Sequence, residues 1–385
     1  MSPRRVYADH ASTTPPAPEV LEAMLPFLGA RFGNPGSLHS RGSAACRAVD
    51  EARARVAALI GCSPHEIVFT GSATESNNLA VKGTALAAPS DRRLILAAAT
   101  EHISVLHPIR SLERQGFRFR LLPVDRQGLL DPEVLERALS PEVLLVSVAH
   151  ASAEIGTLQP MTELCRIAHR ASVPLHCDAT ATVGLAPPPA GGDAPDLISF
   201  APHLFYGPQG IGALRVREGL RLAPLIEGGT QEGGLRAGTE SLAAIAGFGA
   251  AARLAAAARR ARSVRAAGLA GRLRNRLQRE LSGAAFTGHP ERRIPGHLSL
   301  CVPGAEAEAL LEALDEAGIE AASGSPCTTA VRKPSHVLEA MGLDPVVARG
   351  ALVFSFGETS GDHDPDRVAE ALVPAVDRLR RLSPL

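Results

Sequence analysis

Gly71-Ser72-Ala73-Thr74-Glu75-Ser76-Asn77-Asn78 decides how this chain is read, because it follows an apolar run, Ile67-Val68-Phe69, and opens a helix. A turn of small residues between strand and helix offers backbone N–H groups to an anion, and Thr74 adds a hydroxyl. The same residues serve simple helix capping, so the turn alone leaves both readings open. Outward from it, short apolar runs alternate with amphipathic stretches. Residues 94–97, 143–146 and 197–200 read as buried strands, and 51–59, 132–139 and 161–171 carry helical periodicity. That alternation predicts an α/β fold with a mostly parallel sheet, whose ligands bind at the carboxyl ends of the strands.

Further along, the Ala/Arg-rich stretch 250–280 reads as a long helix with a solvated basic face. It leads to strands at 298–302 and 352–356 and a helix at 305–317, a smaller α/β unit. A chain of 385 residues is long for one core. The expected division is a large domain over 1–255, including the N-terminal segment, and a small domain over 256–385. The Pro/Gly patch 187–195 reads as a surface loop.

Forty basic and forty acidic residues cancel, which gives no electrostatic reason to expect a nucleic acid or an anionic membrane as partner. No uninterrupted apolar run approaches the roughly 20 residues of a membrane span. The first residues carry a basic pair but no apolar signal core, so a cytoplasmic location is expected. The six cysteines (46, 62, 165, 177, 301 and 327) form no C-x-x-C pair, and neither a disulfide framework nor a metal site is expected. Lysine is scarce: Lys82 and Lys333 alone, so 38 of the 40 basic residues are arginine.

The glycine-rich turn is one of a series. Thr100-Glu101-His102 follows the next strand, then come Glu154-Ile155-Gly156-Thr157 and His176-Cys177-Asp178-Ala179-Thr180. Ser199 to Gly212 contains Ala201-Pro202-His203-Leu204, and Arg236-Ala237-Gly238-Thr239 and Ser323-Gly324-Ser325-Pro326-Cys327 complete the set. In order and spacing these motifs resemble the cysteine desulfurases of the class V aminotransferase group, over essentially the whole chain.

The resemblance implies the fold type I aminotransferase architecture, a homodimer with shared active sites, and pyridoxal phosphate as cofactor. It also implies sulfur transfer, with a sulfur acceptor or iron–sulfur scaffold as partner. In that family a lysine holds the cofactor, an aspartate pairs with its ring nitrogen and a histidine over the ring moves protons. A loop cysteine takes the sulfur as a persulfide. By motif, Asp178 stands at the ring-nitrogen position, where a buried carboxylate calls for a cationic partner. His102 stands over the ring, although a core histidine satisfied by hydrogen bonds is the alternative. Ala73, Thr74, His203 and Thr239 match phosphate contacts, Thr239 by reaching across the dimer. Cys327 matches the sulfur-accepting cysteine, or is a small loop residue and no more.

Five positions depart from the pattern. Leu204 stands where the cofactor lysine belongs, and a leucine has no nitrogen. Ala153 and Ala181 replace an asparagine and a glutamine that contact the ring hydroxyl, and Ala201 replaces a phosphate-binding serine. Glu358 stands where an arginine would hold the substrate carboxylate, and reversing that charge turns an attraction into a repulsion of about 4 kcal/mol at 4 Å. Gly233 and Pro326 are further departures. Neither Lys82 nor Lys333 sits where it would replace the missing amine. The resulting expectation is a desulfurase-like protein without standard desulfurase catalysis, serving as sulfur relay or scaffold. The alternatives are altered chemistry with non-covalent pyridoxal phosphate, or residual desulfurase activity.

Overall fold

The computed structural model describes residues 4–88, 91–187, 189–324 and 335–382. A short strand, β1 (Val6–Tyr7), opens the chain. Seven strands then build the central sheet: β2 (Ile67–Thr70), β3 (Leu94–Ala98), β4 (Arg118–Leu122), β5 (Val143–Ser147), β6 (Leu175–Asp178), β7 (Leu197–Phe200) and β8 (Gly212–Val216). Their order is β2-β8-β7-β6-β5-β3-β4. All neighbours from β7 to β4 are parallel, while β8 runs antiparallel to both β7 and β2. Helices cover both faces, so β3, β5, β6 and β7 are buried throughout, and β3, β5 and β7 carry the apolar runs that such burial requires. The chain steps from β3 outward to β4 and then returns to β5 on the other side of β3. That reversal opens a crevice at the strands' carboxyl ends.

The long helix runs Leu242–Glu280, 39 residues, and starts eight residues before the predicted 250. Its first half lies against the helices Pro18–Leu28 and Ser40–Ile60. There Phe248 meets Phe69, Phe200 and Phe205 at centroid distances of 5.7–6.0 Å. By length and composition this helix could cross a membrane, but over half of that stretch is buried within the protein. Of its later arginines Arg265 is solvated, as predicted for the basic face, whereas Arg276 is half-buried beside Glu280 and Arg262 is largely buried.

Beyond it, β9 (Ala285–Phe286), β10 (His297–Cys301) and a later strand, Ala351–Ser355, form an antiparallel sheet with β10 in the middle. The helices Ala307–Glu316 and Asp364–Leu382 close a second core over it. The start of the N-terminal segment packs here, while Val20 of the helix that follows lies in the core of the large sheet. Val6 pairs in parallel with Ile319 of β11 (Ile319–Glu320), and Val6 and Ala8 are wholly buried in this core. The reason is hydrogen bonding: a two-residue strand has no stability of its own and forms only where an open edge accepts it.

Candidate active site

A cavity of about 350 Å³ opens in the crevice at the ends of β3, β5, β6 and β7. Its floor is Asp178, the last residue of β6. Asp178 is buried, and among the described residues no arginine or lysine pairs with it. Neutral donors do the work: Asn77 Nδ2 donates to Oδ2 at 2.7 Å, and the Thr180 amide and hydroxyl donate to Oδ1 at 3.0 and 2.5 Å. A carboxylate accepting several such bonds is stabilised without a counter-charge.

Asn77 also donates to Ser104 Oγ at 2.8 Å, and that hydroxyl lies 2.7 Å from His102 Nδ1. Asp178, Asn77, Ser104 and His102 thus form one hydrogen-bonded chain from floor to wall. His102 caps the helix Ile103–Leu112, with Nδ1 accepting from the Ser104 amide at 3.1 Å, which puts the proton of the neutral ring on Nε2. His102 is exposed on the cavity wall, so the core-histidine reading falls. Asn77 and Ser104 were not singled out from sequence, because nothing local shows that residues 101 and 27 positions apart will meet.

Glu101, beside His102, was also missed. It is fully buried and lines the cavity, with Oε1 accepting from the Ala149 amide at 2.7 Å. Its Oε2 has no partner among the described residues. Burial, reinforced by the Asp178 charge, pushes its carboxyl up to about 8, so it is a neutral acid at pH 7. Glu154, on the same wall, is raised by burial too, opposed by a short hydrogen bond from the Ser335 hydroxyl. His336 Nε2 lies 2.9 Å from the Glu101 carbonyl. Cys327, Pro326 and Lys333 lie outside the described residues.

The small-residue turn caps its helix and also borders the cavity. Ser72 caps the helix Ala73–Asn78 by accepting from the Glu75 amide at 3.1 Å, while Thr74 is left exposed on the cavity wall next to buried Ala73. The close approach of β8 requires glycine at 212, where a Cβ would come within 2.4 Å of the Ser72 backbone. His203 lines the cavity, its carbonyl held by the Thr14 amide and hydroxyl at 2.8 and 2.7 Å, and burial lowers its ring pKa. Thr239 does not reach this cavity in its own chain; it borders a different cleft with Gly71, Glu232 and Arg236.

Leu204, Ala153 and Ala181 face the cavity, and Ala201 is buried beside it. Glu358 does not: it borders an adjoining cleft behind Leu204, where Arg262 pairs with it at 2.7 Å. The uncompensated negative charge expected at 358 is therefore corrected, since the cation comes from the long helix. The one lysine among the described residues, Lys82, lies on the π-turn Leu79–Gly83 and does not line the cavity. These walls test the implied pyridoxal phosphate. The size of the cavity and the acceptor oxygens of Asp178 fit its ring, but the wall at 204 offers no amine. The described residues do not fit the cofactor in the covalent form that the family's chemistry uses.

The model of the class V aminotransferases matches residues 6–367. The chain is 41% identical over 382 residues to cysteine desulfurase IscS 1 of Archaeoglobus fulgidus, covering 98% of this chain and 99% of that one. It is 39% identical to cysteine desulfurase IscS of Dictyoglomus turgidum, covering 99% and 97%. Among solved structures it is similar to a NifS-like protein, with a TM-score of 0.91, 32% identity, and 97% and 100% of the two chains covered. SspA, solved in complex with cysteine, gives a TM-score of 0.80 at 31% identity, covering 92% and 100%.

Proposed function

The chain belongs to the class V aminotransferase family, and on that premise we propose that it is a cysteine desulfurase-like protein that does not run the family's lysine-dependent chemistry. Its role is then in sulfur transfer or iron–sulfur metabolism, as relay or scaffold. The observation that carries this reading is Leu204 on the cavity wall. An enzyme that exchanges one amine for another on its cofactor needs a primary amine of its own within reach, and the described lining residues supply none. In this reading Cys327 carries sulfur received from another protein.

A second reading, altered chemistry on a non-covalent ligand, is favoured by one observation. The chain Asp178–Asn77–Ser104–His102 still fixes an imidazole on the wall, and Glu101 still offers an acid there. Both groups can move a proton at a ligand without the lysine.

We propose a homodimer in the cytoplasm. Leu21, Leu25, Leu28, Phe32 and Leu38 are exposed at 47–100%, an apolar series that an isolated chain leaves in water. Thr239 has its own chain's cavity out of reach. One experiment reads both points: borohydride reduction in the presence of pyridoxal phosphate, followed by sedimentation. The expected product is an unlabelled dimer of 40.1 kDa chains. Stoichiometric label on Lys82 or Lys333 would sink the non-catalytic reading, and a monomer the dimer.

A further inference from the structure

Behind Leu204 lies the second cleft, which shares Leu204, Ala181 and Ala11 with the main cavity. Its walls are mainly apolar, with Leu185, Phe205, Ile294 and Phe356 among them. One cation enters it. Arg262 comes from the long helix, its side chain is only 10% exposed, and its guanidinium lies 4.9 Å from the centre of the Tyr206 ring. Nη2 pairs with Glu358, but Nε and Nη1 have no acceptor among the described residues. Glu358 is 51% exposed and anchored by its own backbone, whose amide donates to the Tyr206 hydroxyl at 2.5 Å.

A buried guanidinium with two donor nitrogens idle is an unfavourable arrangement unless something accepts from them. A carboxylate matches the planar fork of an arginine better than any other small acceptor. The charges around the cleft select a monoanion. Burial lowers the pKa of His10, and burial together with Arg293 takes His297 down to about 3, so both rings are neutral at pH 7. Tyr206 is held above its usual range and stays neutral too. Among the described residues Arg262 is left as the single positive group facing Glu358, too little for a dianionic phosphate. Space sets the size: the cleft holds about 40 Å³ and gains the room of the Glu358 carboxylate when that group leaves, so only an acid of a few non-hydrogen atoms fits.

The geometry points to a carboxylate-binding site at Arg262 that takes a short monocarboxylic acid, with Glu358 as the resident counter-charge that it displaces. The acid's apolar end lies toward Leu204 and Phe205. This site does not depend on whether the protein transfers sulfur.

Propionate titrated into the full-length protein by calorimetry tests it, with propionamide as the uncharged match. Propionate is expected to bind with a Kd of about 1 mM and propionamide not at all. Arg262→Gln should weaken propionate at least about tenfold, with Arg262→Lys between the two. Glu358→Gln should tighten it several-fold by removing the competing carboxylate, and this variant leaves the buried arginine in place should Arg262→Gln fail to fold. Absent binding, equal binding of acid and amide, or weaker binding in Glu358→Gln would each overturn the site.

Discussion

The floor of the cavity and its Leu204 wall are built in opposite ways. Along the chain that rises from the floor every functional side chain also holds the fold: Asp178 ends a central strand, Asn77 joins it to Ser104, and His102 caps a helix. On the wall, Leu204, Ala153 and Ala181 sit on connecting segments, with side chains that make no hydrogen bonds. Ala153 is used only through its carbonyl, which the buried His297 meets at 2.7 Å. A residue held in place by its neighbours is expensive to change, while one that only faces a ligand changes at no cost to folding. That difference accounts for a chain that keeps the architecture of a family while departing from it where chemistry is carried.

Leu204→Lys is the strongest attempt to break this contrast. It supplies the amine, and the yellow, borohydride-reducible bond to pyridoxal phosphate should form. Sulfide release from cysteine should stay about 30- to 10⁴-fold below a working enzyme, because two missing hydrogen bonds at Ala153 and Ala181 cost about 1–3 kcal/mol each. Full turnover from this single change would show that the wall was not the obstacle. Adding Glu358→Arg would set a second guanidinium beside Arg262 and bring no help.

A stability comparison is the next largest effect. Asp178→Ala strands the Asn77 amide and the Thr180 donors and should lower unfolding free energy by about 2–4 kcal/mol. Ala153→Asn on the wall should stay within about 0.5 kcal/mol of the parent. Urea unfolding of both variants decides it, and equal losses would erase the contrast.

The smallest effect is a pH slope. The folded pKa of Glu101, about 8, lies above its ordinary 4.5, so the folded state holds a proton that the unfolded chain releases. The stability this gives is complete below about pH 4.5 and is lost as pH rises toward 8, at up to about 1.4 kcal/mol per unit. His150 and His176, held neutral by burial down to about 4, act in the opposite sense but only below about pH 6.5. Between pH 6.5 and 8 the parent should therefore lose stability, and Glu101→Gln should flatten the loss. An unchanged slope in that variant would place the proton elsewhere.

Much of this was legible in the sequence. The strand at 197–200 lies where its apolar run put it, and the motif residues Thr74, His102, Asp178 and His203 converge at the strand ends as the parallel sheet demands. The helix Ser40–Ile60 was underestimated because its buried stripe is made of small residues, Gly42, Ala45 and Ala52, that give a weak periodic signal. β4 went unread for a related reason: as an edge strand it exposes Arg118 and Arg120 and lacks the unbroken apolar run of its neighbours. Arg262 was hidden by its surroundings, one arginine in a run of arginines that all looked solvated. Only the packing of that helix turn against Tyr206 separates it from the rest.

The pairing of β1 with β11 also has a consequence in time. Val6 leaves the ribosome 313 residues (319 − 6) ahead of its hydrogen-bonding partner Ile319. At about 5–20 residues per second, the first strand waits about 15–60 s with its edge open. The large sheet, whose seven strands all lie between residues 67 and 216, can be complete before that wait ends. The second core is the late-forming part of the molecule, its contacts being the most distant along the chain. A nascent chain halted near residue 300 would carry a finished central sheet and an unpaired Val6–Tyr7 segment, open to proteolysis there.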